Sequence, residues 1–314
     1  MSGEKSLENV LRVTSCETYF NSFQLFQTTV PSELTRSSSP TGATETHADK
    51  GVPTSGRASN LHTYFSMIYA YVLKQAAELL RQVGRPALSD EYESRALSVL
   101  EAVRKHCYDG QFFTDSTADI ADELAYSQHC QVFAVLSGAA KPEDHARLLN
   151  ESFARPDFSK CSYYMKFYAL RAFALAGDDV YEGYWAEVWN PWRRMLANNL
   201  STWEEDDVRQ RSDCHAWGSV PLYEYCTELA GIHPTAPGSS KILFKPRLRL
   251  SRGIEAKVAL GKENVATVSW TTEDNGKKVV NLQLEKAVGV ISKLPGGEEI
   301  EHGVVNELTL VYDA

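Results

Sequence analysis

The 314-residue sequence is notable first for what it does not contain. No apolar run approaches the length of a membrane span, so no membrane partner is expected. No Lys/Arg cluster is present and the formal charge is −9, which argues against a nucleic-acid partner. The six cysteines (Cys16, Cys107, Cys130, Cys161, Cys214 and Cys226) include no CxxC pair and lie mostly in apolar helical patterns. Buried free thiols follow more naturally than a disulfide frame or a metal site. His129-Cys130 and Cys214-His215 are adjacent pairs, and neighbours on a helix point about 100° apart, so neither pair converges on a metal. Phosphate-cradling Gly-rich loops and dinucleotide fingerprints are missing as well. Met1-Ser2-Gly3-Glu4-Lys5 lacks the basic start and apolar stretch of a secretory signal, so a cytoplasmic location is expected for the chain as written.

What remains is a composition of 43% apolar, 23% charged and 11% aromatic residues, that of a globular protein. The length suggests two domains, each able to bury a core. Fifteen Tyr and six Trp suit a ring-shaped ligand such as a carbohydrate, or simply fill helix interfaces.

Three stretches differ in pattern. Residues 1–58 read as largely irregular, because 31–58 are dense in Ser, Thr, Pro and Gly. Residues 59–236 read as helical. Leu61, Tyr64, Phe65, Ile68, Tyr71, Val72, Ala76, Leu79 and Leu80 recur at three and four, and Gly84-Arg85-Pro86 stops that helix. Further helices are expected over Ser89–His106, Ala121–Gly138, Pro142–Asn150, Lys160–Gly177, Tyr181–Asn198 and Asp213–Leu229, the last kinked at Pro221 or restarted there with Ser219 as N-cap. Paired helices with short joins imply an all-α hairpin array. From 237 to 314 the period becomes two, with strands expected over Lys241–Phe244, Ile254–Leu260, Val265–Thr271, Val279–Leu284, Val288–Lys293 and Val304–Val311. Glu273-Asp274-Asn275-Gly276 signals a hairpin, and a small antiparallel β-sandwich fits.

The chemistry concentrates near the end of the helical region. Trp203-Glu204 is followed by Ser212-Asp213-Cys214-His215-Ala216-Trp217-Gly218-Ser219, with Trp192 nearby. A carboxylate, a histidine and three indoles are what acid/base chemistry on a sugar requires: a proton carrier, a polar group for hydroxyls and an aromatic wall. Two plainer readings compete. Ser201-x-x-Glu204 and Thr202-x-x-Glu205 both match a capping box at a helix start. His215 alone reads equally as a satisfied core residue. Asp119, Asp122 and Glu123 form a second acidic cluster, read as charging the first turn of the Ala121–Gly138 helix or as lying at a substrate mouth. Tyr163 and Tyr164 face that mouth or the core.

Thr202-Trp203-Glu204, the Ser212–Ser219 stretch, Ala230-Gly231-Ile232-His233-Pro234-Thr235-Ala236-Pro237-Gly238 and Ile242-Leu243-Phe244-Lys245-Pro246 together resemble a known pattern. The order of elements is similar to the carboxyl-terminal half of family 78 glycoside hydrolases, the α-L-rhamnosidases and their fungal six-hairpin relatives. The resemblance runs from Asn60 to the end and is strongest over residues 200–246. It implies a partial (α/α)6 toroid followed by the sandwich, and inverting hydrolysis of terminal α-L-rhamnosides without metal or organic cofactor. It also implies Glu204 as general base, His215 on sugar hydroxyls, and Trp203 in the pocket wall with Trp217 beside it. The family's general acid lies in an Arg-Asp-Glu-type motif that this sequence lacks, and about seven helical segments stand where a full barrel has twelve.

The implied ligand is a small carbohydrate or glycoside. Two further readings stay open: a catalytically inactive carbohydrate-binding remnant, and a six-hairpin-like protein repurposed in fungal secondary metabolism. A half-toroid exposes helix faces, so self-association through them is expected.

Overall fold

A computed structural model describes residues 62–117, 125–205, 212–261 and 263–313. The segment 1–58 and the cluster Asp119, Asp122 and Glu123 lie outside these residues. The chain divides into two compact units, with the break between Gly218 and Ser219.

The first unit is helical: α1 (Thr63–Gln82), α2 (Pro86–His106), α3 (Gln128–Ser137), α4 (His145–Ala154), α5 (Tyr163–Ala176), α6 (Asp178–Val188) and α7 (Asn190–Ala197). Helix α1 forms as expected, but the face it buries is Tyr64, Met67, Ala70, Leu73 and Ala77; of the residues whose spacing predicted it only Tyr64 is buried, and Phe65 is exposed. Gly84, at φ 77°, turns the chain, and Pro86 opens α2, where its missing N–H costs nothing. The Ser89 hydroxyl then donates to the Ala77 carbonyl at 2.7 Å and ties the hairpin.

Helix α3 starts later than expected. Residues 125–127 are extended, and the Ser127 side chain caps the helix by accepting from the Cys130 amide at 3.2 Å. Its other end closes on Gly138 at φ 82°, where Lys74 Nζ donates to Ser137 O at 3.0 Å and Arg104 Nε to Ala139 O at 2.8 Å. Burial all round makes α3 the axis of the unit; it packs against α1, α4 and α5. The single helix expected over Tyr181–Asn198 is two, because Pro191 restarts the chain as α7.

A 3-10 turn, Ala216–Ser219, carries the chain across the break, and the second unit continues with a short α-helix, α8 (Val220–Glu224), and a π-helical turn, Tyr225–Leu229. The single helix expected over Asp213–Leu229 is not formed: residues 213–215 are non-helical, and Pro221 in the first turn of α8 restarts the chain after Ser219 rather than kinking a continuous helix. Six strands follow: β1 (Ile232–Pro234), β2 (Lys241–Phe244), β3 (Gly253–Ala259), β4 (Val265–Thr272), β5 (Lys278–Ser292) and β6 (Ile300–Tyr312). They form one mixed sheet, where a sandwich of antiparallel strands was expected. The cause lies in β5, which joins two expected strands into one of 15 residues. Glu285-Lys286-Ala287 separates the two expected strands. Asn264 keeps it extended by donating to Lys286 O at 3.0 Å and accepting from Lys286 N at 2.9 Å. The first part of β5 pairs antiparallel with β4, its last part pairs parallel with β2, and β6 pairs along it with two irregularities.

The glycine of the Ala230-Gly231-Ile232 motif also has a clear cause. Gly231 has φ 78° and a Cβ there would lie 2.2 Å from the Pro246 nitrogen, so β1 and β2 close up only around glycine. Buried Arg247 and Glu228 pair at 2.6 Å beneath that junction.

Candidate active site

Two loop strips of the helical unit lie side by side. His215 N donates to Trp203 O at 2.7 Å, Glu205 N donates to Ser212 O at 2.9 Å, and the Thr202 hydroxyl donates to Asp213 O. Residues 202–205 are non-helical, so neither capping box forms. Pairing with 212–215 takes the backbone groups that a helix would have used. Gly218 completes the junction: a Cβ there would lie 2.6 Å from Trp203 Cβ, and Trp192 Nε1 donates to Gly218 O at 2.6 Å.

This brings the four sequence-derived residues Trp203, Glu204, His215 and Trp217 into one strip. Glu204 is 4% exposed, and its Oε1 accepts from the Tyr163 hydroxyl at 3.1 Å. Tyr163 Oη in turn accepts from Arg194 Nη2 at 2.8 Å. The His215 ring lies against Trp217, and Trp217 tilts against Tyr164 with centroids 5.3 Å apart. Trp203, His215 and Trp217 are all half-buried, so each keeps surface for a ligand. Tyr163, which the sequence leaves between mouth and core, has a buried ring and a hydroxyl on the carboxylate.

Two residues escaped the sequence reading. Arg194 sits on an exposed turn of α7 with no motif around it; only the fold brings it to Tyr163. Asp115 is fully buried, and its Oδ1 accepts from the Ser127 hydroxyl at 2.5 Å and the Cys130 thiol at 3.2 Å. Its Oδ2 has no hydrogen-bond partner among the described residues. Burial pushes this carboxyl up to about 6, against the lowering effect of those two bonds. The run Thr114-Asp115-Ser116-Thr117 carries no periodic signal that would have placed it in the interior. Among the described residues no three His, Cys, Asp or Glu side chains gather to hold a metal ion.

No protein-family profile and no curated protein matches the chain. Solved structures do. A family 78 rhamnosidase of Bacillus sp. GL1 superposes with a TM-score of 0.69 at 23% identity, over 76% of this chain and 26% of that one. The α-L-rhamnosidase of Streptomyces avermitilis, solved in complex with L-rhamnose, gives 0.60 at 15% identity, over 79% and 26%. That of Aspergillus terreus gives 0.57 at 11%, over 77% and 29%. The chain thus spans 26–29% of the length of these three enzymes. Its fold is that of one part of the family 78 α-L-rhamnosidases.

Proposed function

We propose that the chain is the base-bearing part of an inverting α-L-rhamnosidase-type glycoside hydrolase, and that its helices belong to an α/α toroid. In this reading Glu204 removes a proton from water as the water oxygen attacks the anomeric carbon. The bond from that carbon to the leaving oxygen breaks, and a second carboxyl group protonates the departing oxygen. Inversion sets the two carboxyl groups roughly 6.5–9.5 Å apart, leaving room for the water. The acid belongs to a segment outside the described residues or to another chain. Trp203 and Trp217 face the apolar side of the sugar, and His215 meets its hydroxyls.

The observation that carries this reading is the environment of Glu204. The carboxylate is buried, bonded to a hydroxyl rather than to helix amides, and carried on the strip whose backbone pairs with that of His215, in a fold shared with rhamnosidases. The L-rhamnose held by the Streptomyces enzyme supports the choice of sugar.

The test uses 4-nitrophenyl α-L-rhamnoside, whose leaving group departs as the phenolate and needs little help from an acid. Wild type is expected to release nitrophenolate and Glu204→Gln to lose most of that rate. Turnover independent of Glu204 contradicts the assignment. The 4% exposure of Glu204 favours one alternative, a carbohydrate-binding remnant. That alternative predicts bound L-rhamnose with no turnover by either protein.

A further inference from the structure

We propose that Tyr163, locked by Arg194, is a positioning residue for Glu204, an inference that rests on reading Glu204 as the base. Arg194 Nη2 lies 2.8 Å from Tyr163 Oη, which lies 3.1 Å from Glu204 Oε1. A guanidinium has donors only and stays charged, so the phenol oxygen must accept in the first bond. Its single hydrogen is then left for the carboxylate. The direction of the chain is fixed by chemistry: cation to phenol to anion. Each bond has a charged partner, and each polarises the other.

The ring itself has no freedom to swing. Tyr163 is 3% exposed on the first turn of α5, and its ring tilts against Trp192 with centroids 5.4 Å apart. Trp192 is anchored through its indole N–H to Gly218 O at 2.6 Å. Two neighbouring residues of α7, Trp192 and Arg194, therefore hold the ring and the hydroxyl respectively. Among the described residues no other side chain donates to the Glu204 carboxylate. The bond ties one carboxylate oxygen, and so fixes the orientation of the carboxyl group that takes the proton.

Tyr163→Phe keeps the ring and removes the hydroxyl. On 4-nitrophenyl α-L-rhamnoside it is expected to lower kcat about 10- to 100-fold, with KM changed less than about threefold, because the loss falls on the transition state. Arg194→Gln is expected to lower kcat in the same way, and Arg194→Lys to recover part of it, since a lysine keeps the charge without the planar fork. A fold defect would not produce that split or that rescue. Crystal structures of wild type and Tyr163→Phe give a readout without turnover: the Glu204 carboxylate is expected to leave its wild-type position. An unmoved carboxylate, or a wild-type kcat in Tyr163→Phe, overturns the proposal. If wild type proves inert, the base assignment fails separately. The crystal comparison alone then decides the positioning claim, a displaced carboxylate supporting it and an unmoved one overturning it.

Discussion

The imidazole of His215 lies 3.9 Å, centroid to centroid, from the ring of Trp217, with the two planes 21° apart. Its Nδ1 is 3.8 Å from the carboxylate of buried Glu205, too far for a hydrogen bond but close enough to feel its charge. The stack therefore sets where His215 points, and on the proposed function the half-buried rings of His215 and Trp217 would meet the sugar. Replacing Trp217 with Ala removes the aromatic wall and frees the imidazole. We expect L-rhamnose to bind about tenfold more weakly, in line with the 0.5–1.5 kcal/mol typical of an aromatic contact. Titration calorimetry measures this, and an unchanged Kd would show that the sugar does not touch this stack.

Asp115 makes folding stability depend on pH. Burial holds its carboxyl at about 6 in the folded chain, against 3.8 for the ordinary group. A raised carboxyl favours the folded state while protonated. Its contribution is complete below about 3.8 and is lost as pH rises through about 6, by about 3 kcal/mol in all. Stability measured by chemical denaturation is expected to fall across that window in the wild type. In Asp115→Asn, which cannot ionise, that fall is expected to flatten. A parallel fall in both proteins would assign the effect to other groups.

Gly218 is required by its neighbour. With the position of a Cβ 2.6 Å from Trp203 Cβ and 3.2 Å from Glu204 O, Gly218→Ala must push the Trp203-Glu204 strip away. Overpacking of this kind costs about 1–3 kcal/mol. The same displacement moves the carboxylate, so kcat on the nitrophenyl glycoside should fall along with stability. An alanine variant as stable and active as wild type would mean that the two strips can part freely.

Asn264 performs the structural task of keeping β5 in one piece. Asn264→Ala deletes both bonds to the backbone of Lys286, leaving its amide without that acceptor. A cost of about 1–3 kcal/mol is expected from such a loss. Amide hydrogen exchange at Lys286 should speed up well beyond that at Val280 or Leu282, which pair with β4 and β6. Equal exchange in variant and wild type would show that the ladder alone holds the strand.

The sequence made some of this legible and concealed the rest. Local signals were honoured: Pro86 opens α2, and Gly276 at φ 87° turns the β4–β5 hairpin. The Trp203-Glu204 and His215 stretches meet as their composition suggested. Errors arose where a local cap or proline was given too little weight, or where a distant partner overrode a local pattern. Asn264 holds extended the stretch between two expected strands, Ser127 starts α3 after an extended approach, and Pro191 divides a continuous apolar periodicity. The Arg194–Tyr163–Glu204 chain was hidden for the same reason. Its links join residues 31 and 41 positions apart, and no local spacing encodes a bond of that reach.

The most direct test follows the sugar first released from 4-nitrophenyl α-L-rhamnoside by proton NMR, with wild type beside Glu204→Gln. In the proposed reaction a water activated by Glu204 attacks from the face opposite the leaving group, so β-L-rhamnose should appear first. The variant should release it at least about a thousandfold more slowly. First appearance of the α anomer, or release undiminished by the substitution, would contradict the assignment of Glu204 as the base of an inverting hydrolase.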